Sequence, residues 1–324
     1  MLITKTFRSL GSIKIPLVLF SILLLAIAFQ APRLFSVSGF SNAILVSAPL
    51  ILATLSLTPI VLAGRGAVDL SVGPLISFLN VTLIAWLSGN NITNPIVFCL
   101  WAVIAGAGYQ IIQALIVTYV RIAPIIVALS GFLILTGVNL MVMKRPGGLA
   151  PEWMSSWSGG GEPQILSPIL VLVVLAFCIW GLVTRTGFYK QLMLVGSDER
   201  MAYTSGVRVD LVRILAYALG GVFAGFAALS YTALISSGDP TQGSTYTLQA
   251  VTALVLGGAS LSGGKGTATG ALLGALNMFL ITYLLGAFNF GSLSGYITSL
   301  AYGGILAASL LVNVVSNKSN VGRG

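Results

Sequence analysis

The sequence predicts an all-α integral membrane protein of about ten transmembrane helices, some of them broken or short, and three observations carry that prediction. Hydrophobic residues make up 56% of the chain and charged residues only 7%, with a mean hydropathy of +1.00. A soluble domain carries about 25% charged residues, so this chain has too few to cover a water-facing surface. The apolar runs are long and continuous, as helices require, whereas a transmembrane barrel would alternate in segments of about ten residues. A helix takes about 20 residues to cross a hydrocarbon core of about 30 Å, and 324 residues leave room for that many crossings.

Each span is bounded by Gly, Pro, Asn or charge. The first runs from about 15 to 33, behind Lys5, Arg8 and Lys14. Its basic start and the small residues Ala26 and Ala28 are those of a signal peptide, but the run is long for an apolar signal region of about 7–15 residues, which favours an uncleaved span. Further spans follow at about 42–63, 67–88, 95–119 and 124–143, and after a polar break at about 165–183, 211–236, 247–257, 268–287 and 293–314. The stretch 247–257 is short for a crossing. Cys99 and Cys178 fall inside apolar runs, and no histidine accompanies them, so they read as packing residues.

Lys and Arg accumulate in cytoplasmic loops. With the N-terminus inside, thirteen basic residues (Lys5, Arg8, Lys14, Arg65, Arg121, Arg185, Lys190, Arg200, Arg208, Arg213, Lys265, Lys318, Arg323) fall inside and three (Arg33, Lys144, Arg145) outside. Both termini are expected to be cytoplasmic. The net charge of +9 is thereby read as an orientation signal. It forms no basic stripe or aromatic platform of the kind that binds nucleic acid, so no nucleic-acid partner is expected.

Two connections stand out. Residues 144–164, expected outside, carry Trp153 and Trp157, which suit either the lipid headgroups or an external partner. Residues 184–210, expected inside, hold "GSDERMAYTSG", a short complete helix in outline: Ser197 can cap its start, Asp198 and Glu199 favour its positive end, and Gly206 can end it. So short a helix is marginal alone and must rest on a neighbour.

An internal echo links "VLAGRGAVDLSVG" (61–73) to "VLGGASLSGG" (255–264). Each leaves an apolar run through glycines, passes Leu-Ser-x-Gly and enters another apolar run. Paired breaks of this kind point to a pathway built by an internal repeat, although two glycine-rich membrane loops can also look alike by chance. Asp69, Ser71, Gly73, Ser260, Ser262 and Gly264 are the candidate residues lining or gating that path. A carboxylate within a span normally faces a partner or water. Asp69 could cap the backbone near Ser71 and Val72, pair with Arg65, or touch a substrate.

Enzymatic chemistry finds little to work with. A phosphate-binding loop needs G-x-x-x-x-G-K-[ST], and "GGASLSGGKGTATG" fails it twice, at Ala259 and Gly266. Without histidine there is no Ser-His dyad, and no metal-ligand cluster or second carboxylate lies near Asp69 in sequence. No catalytic residue, metal site or cofactor bound by this chain is expected.

Four stretches in order, "VDLSVG" (68–73), "YVRIAPIIVAL" (119–129), "VGSDERMAYTSGVRVDLVRILAYALGG" (195–221) and "VLGGASLSGGKGTATGALLGAL" (255–276), resemble permeases of the ribose-type carbohydrate ABC importers. The resemblance implies a single permease domain, 1–324, without ATPase activity of its own. It divides into a cytoplasmic N-terminus (1–14), an external loop (144–164), a cytoplasmic coupling loop (184–210) and a cytoplasmic tail (315–324) in a bacterial inner membrane. It also implies partners: a cytoplasmic ATP-binding subunit holding ATP and Mg, a periplasmic sugar-binding protein, and a second permease copy, identical or not, alongside membrane lipid. The family's G-x-x-E-x-A-x-x-S-G pattern docks on the ATPase as a coupling helix. It maps to Gly196, Glu199, Ala202, Ser205 and Gly206, with Ser197 and Asp198 in the same turn and Met201 where the family often has Ala. Arg65 and Ala67 replace Thr and Gly of the family's "TGGIDLSVG", Thr247 and Gln249 stand where acidic residues are common, and "RIPPF" becomes "RIAPI" at Arg121 to Ile125. These departures bear on which sugar is carried, not on the class. The alternative is a secondary transporter driven by an ion gradient, which also uses broken helices but commonly keeps several intramembrane acids, where here only Asp69 qualifies.

Overall fold

The computed structural model describes residues 3–158, 166–261, 263–288, 293 and 295–307. It is helical throughout, and among the described residues the one β-type pairing is an isolated bridge between Gly147 and Gly238. Helix α1 (Ile3–Gln30) carries its apolar segment at Pro16–Gln30, and the residues ahead of that segment continue the same helix. A 3-10 turn leads into α2 (Val37–Leu62), whose N-cap Ser36 accepts from Gly39 N at 3.1 Å. Then come α3 (Val72–Thr82), prolonged by a wide turn to Asn90, α4 (Pro95–Leu115), prolonged to Val120, and α5 (Pro124–Val142). Short α6 (Glu152–Ser155) precedes α7 (Pro168–Thr184), which bends by 81° into α8 (Gly187–Ser197). The rest comprises α9 (Glu199–Thr204), α10 (Val209–Ile235), α11 (Thr245–Leu256), α12 (Ala268–Ala287) and helical residues 295–307, α13.

Every predicted span has a helix in its place, the last, 293–314, being described as helix at 295–307. Among the described residues six helices are long and apolar enough to cross a bilayer, or seven if the bent α7–α8 pair is one span. The predicted short crossing is α11: its 12 residues rise about 18 Å at 1.5 Å each, less than the hydrocarbon core.

Helices α2 and α10 form the centre, α10 packing on α4 and α2, and α2 also on α11 and α12. Helix α2 is buried from Ser47 to Leu62 although that stretch holds Pro49, Thr54, Ser56, Thr58 and Pro59. In lipid every polar group must find a partner inside the protein. Here the hydroxyls of Thr54, Ser56 and Thr58 donate to backbone carbonyls three or four residues back, at 2.7, 2.7 and 3.2 Å. Helix pairs in membranes approach closely through small residues. At the α4–α10 crossing a Cβ added to Gly221 would lie 2.4 Å from Gly106 O.

At the end of the bundle bearing α6, Trp153 and Trp157 are half-buried and pack edge to face at 5.2 Å, with Phe98 5.5 Å from Trp153. The Trp153 indole N–H donates to Thr93 O at 2.7 Å. Contacts within the chain therefore occupy much of these rings' surface. Cys99 is half-buried, Cys178 exposed, and both thiols are free.

Candidate functional site

Both echoed breaks are real interruptions. After α2 the chain turns through three consecutive left-handed residues, Gly64, Arg65 and Gly66, with φ of 83°, 59° and 64°, before α3 starts at Val72. After α11 it turns through Gly258, Gly263 and Gly264, with φ of 86°, 100° and 67°, before Thr267 caps α12 by accepting from Gly270 N at 3.0 Å.

The first break ends in a buried polar network. Asp69 is 1% exposed. Its Oδ1 accepts from Ser71 N at 2.8 Å and from the Ser71 hydroxyl at 2.5 Å, and its Oδ2 accepts from Gln110 Nε2. Gln113 Nε2 donates in turn to Ser71 Oγ at 2.6 Å and to Tyr109 OH at 2.7 Å. Of the two intramolecular alternatives for Asp69, the local backbone contact at Ser71 is the one formed, as a turn ahead of the helix. Pairing with Arg65 is not: that guanidinium reaches Glu199 instead. Gly73 N donates to Thr247 Oγ1, which donates to Leu70 O, both at 3.2 Å. A Cβ on Gly73 would lie 2.3 Å from that hydroxyl, so α11 rests directly on the start of α3. Asn139 Nδ2 from α5 donates to Pro74 O at 3.0 Å, fixing a carbonyl in the first turn of α3.

The second break is held by backbone. Ser260 N donates to Lys265 O at 2.9 Å and Ser260 O accepts from Gly263 N at 3.0 Å. Ser262 lies outside the described residues. Gly264 does not join Asp69; it meets Gly196. A Cβ on Gly196 would lie 1.9 Å from Leu62 O and 2.8 Å from Gly264 Cα, and one on Gly263 would lie 2.3 Å from Gly64 Cα. The two breaks thus touch each other and the last turn of α8, three residues before α9.

Helix α9 has the form expected of "GSDERMAYTSG", with one correction to its cap. Asp198, not Ser197, accepts from Met201 N, at 3.0 Å, while the Ser197 hydroxyl donates to Leu194 O at 2.9 Å as the end of α8. The bend between the two helices leaves the aspartate as the first residue free of helical conformation, which is the position that caps. Gly206, at φ of 81°, ends the turn, and the Ser205 hydroxyl donates to Met201 O at 2.8 Å.

Of the motif residues, Ala202 and Glu199 face inward, while Ser197, Asp198, Ser205 and Gly206 are exposed. Ala202 is 0% exposed, and the Glu199 Oε2 atom accepts from Arg65 Nε at 2.6 Å and lies 3.2 Å from Arg213 NH2 on α10. What faces out is Arg200, Met201, Tyr203 and Thr204, beside an open cleft of about 1420 Å³ whose lining includes Arg121 and Arg208.

Sequence reasoning passed over Tyr109, Gln110, Gln113 and Asn139, which complete the Asp69 network. Their signal was available: Gln110 and Gln113, three apart in the apolar run of α4, share one helix face. Among the described residues no three His, Cys, Asp or Glu side chains come together as a metal site.

The family model described as branched-chain amino acid transport system / permease component matches residues 39–315. The chain is 27% identical over 297 residues to the ribose import permease protein of Escherichia coli, covering 90% of each. It is 33% identical over 267 residues to a probable ABC transporter permease protein of Sinorhizobium fredii, covering 80% of this chain and 77% of that one. It is 30% identical over 281 residues to the galactose/methyl galactoside import permease protein of Escherichia coli, covering 81% and 83%. No solved structure matches.

Proposed function

The chain belongs to the family described as branched-chain amino acid transport system / permease component, and from that membership we propose that it is the channel-forming subunit of an ATP-driven sugar importer. The similar permeases named for ribose and for galactose or methyl galactoside support a monosaccharide or a related polar metabolite as cargo, in preference to the amino acids of the family description. In this reading the chain lies in a bacterial inner membrane with both termini inside. It pairs with a second permease, the same or different, receives sugar from an external binding protein, and docks a cytoplasmic ATP-binding subunit that holds the ATP and Mg.

One observation carries the reading: α9 is a short, outward-facing helix whose root sits on both breaks at once through Gly196. Its inward residues Glu199 and Ala202 attach it to the chain, leaving Arg200, Met201 and Tyr203 to meet the ATP-binding subunit. Alternating access then follows as a population shift. Closure of the ATPase pair favours the state in which α9 is displaced, and partners move that equilibrium only by binding its two states unequally. The breaks at 64–73 and 257–264 are the segments that give way. Packed helix interiors resist continuous deformation, whereas turns at element ends absorb large changes of φ and ψ.

The test is reconstitution in liposomes with the ATP-binding subunit and the binding protein encoded with this chain. Uptake that requires internal ATP is expected. Accumulation by the lone chain on a proton or sodium gradient would replace this reading with secondary transport. Met201→Glu with Tyr203→Glu is expected to leave insertion intact and abolish retention of the ATP-binding subunit. Full retention would move the docking face elsewhere.

A further inference from the structure

Arg65 occupies a backbone position suited to glycine. Its φ of 59° lies between the left-handed Gly64 and Gly66, and a side chain there is unfavourable unless the surroundings hold it. The guanidinium is held. Its Nε donates to Glu199 Oε2 at 2.6 Å across a sequence separation of 134 residues. Glu199 opens α9, and the same carboxylate oxygen stands 3.2 Å from NH2 of Arg213, a 2%-exposed residue of α10. One carboxylate therefore joins three parts: the coupling helix, the central helix α10 and the first break. Beneath it the backbone of Gly64 lies on that of Gly196, where an added Cβ would sit 3.0 Å from Gly196 Cα.

The pair is half in water, with side-chain exposures of 48% for Arg65 and 31% for Glu199. Ion pairs this exposed add little to folding stability. What this one constrains is relative position, since a charge-assisted hydrogen bond keeps a narrow geometry.

We propose that Arg65 is a positioning residue for transport: acting through Glu199, it ties α9 to the break that begins α3, so that displacement of α9 is delivered to Asp69 and Ser71 along the same short strap. The proposal rests on α9 being the docking helix for an ATP-binding subunit.

Arg65→Gly isolates the guanidinium, because glycine accepts the left-handed backbone and leaves the fold unstrained. In the reconstituted complex, sugar taken up per ATP hydrolysed is expected to fall roughly tenfold, the size of a typical coupling effect, while the yield of assembled complex stays that of the wild type. Arg65→Lys should recover part of the loss, and added salt should erode that recovery. In a Glu199→Ala background Arg65→Gly should have no further effect, since no acceptor is left for the guanidinium. An unchanged uptake per ATP in Arg65→Gly, whether or not the yield falls, overturns the proposal. A measurement on the chain alone keeps it separable from the docking reading: a nitroxide at Tyr203→Cys, with Cys99 and Cys178 replaced by Ala, should gain a mobile spectral component on Arg65→Gly. An unchanged spectrum overturns the tie even if no ATP-binding subunit is retained, and that lack of retention would count against the docking reading alone.

Discussion

The breaks at 64–73 and 257–264 share a sequence pattern and differ in what their Leu-Ser step meets. In the first, Ser71 is 0% exposed and its hydroxyl both donates to Asp69 and accepts from Gln113, so the segment is pinned by side chains from α4. In the second, Ser260 is half-buried and works through its backbone N–H and carbonyl, so the segment is pinned by its own turn and by glycine contacts. A repeated motif thus fixes a repeated backbone path without repeating the chemistry along it. Buried inside the bundle, Asp69 and Ser71 must satisfy their polar atoms with side chains from within the protein; half-buried Ser260 relies on its own turn.

The largest test of this contrast acts where the two breaks meet. Gly196→Ala puts a methyl group 1.9 Å from Leu62 O, and the shift it forces through both loops is expected to cost about 3 kcal/mol or more. Little folded protein should survive size-exclusion chromatography in detergent, and a normal yield with a normal melting midpoint would show the junction to be loose. Next comes Ser71→Ala, which leaves Asp69 and Gln113 each short of a partner in the interior and is expected to cost about 1–3 kcal/mol. Asp69→Asn should be milder than Asp69→Leu, because Gln110 Oε1 has no hydrogen-bond partner and an amide flip would offer it to the new N–H₂. Transport by Asp69→Asn should slow without a change in sugar preference, read by competition between labelled sugars, and a switch in preference would make Asp69 a sugar ligand. The smallest effect belongs to Ser260→Ala, expected within about 0.5 kcal/mol in melting midpoint. A loss equal to that of Ser71→Ala would erase the difference between the breaks.

Much of the fold is legible in the chain. Apolar runs bounded by Gly, Pro, Asn and charge mark the helices, and the short run at 247–257 emerges as the short α11. Lys5, Arg8 and Lys14 precede the first of these runs, and the helix they lie in begins at Ile3. The helix at 199–204 is readable from its Asp, Glu and Gly, though Ser197 and Asp198 compete for the cap and only the extended backbone at Asp198 decides between them. Less of the site is legible. The echo locates both breaks, and no property of either segment alone says that Gly64 and Gly264 meet at Gly196 while Gly263 lies on Gly64.

Local composition by itself determined that this chain is an all-α membrane protein, and where its helices lie and break, because hydropathy and glycine act on neighbours in sequence. Which side chain answers which was decided only by the tertiary structure. Arg65 stands four residues from Asp69 and pairs with Glu199, 134 residues away. A left-handed turn directs Arg65 out of the break toward α9 while Asp69 turns inward to Gln110. Proximity along the chain does not survive a turn through three consecutive left-handed residues, which re-aims each side chain along it.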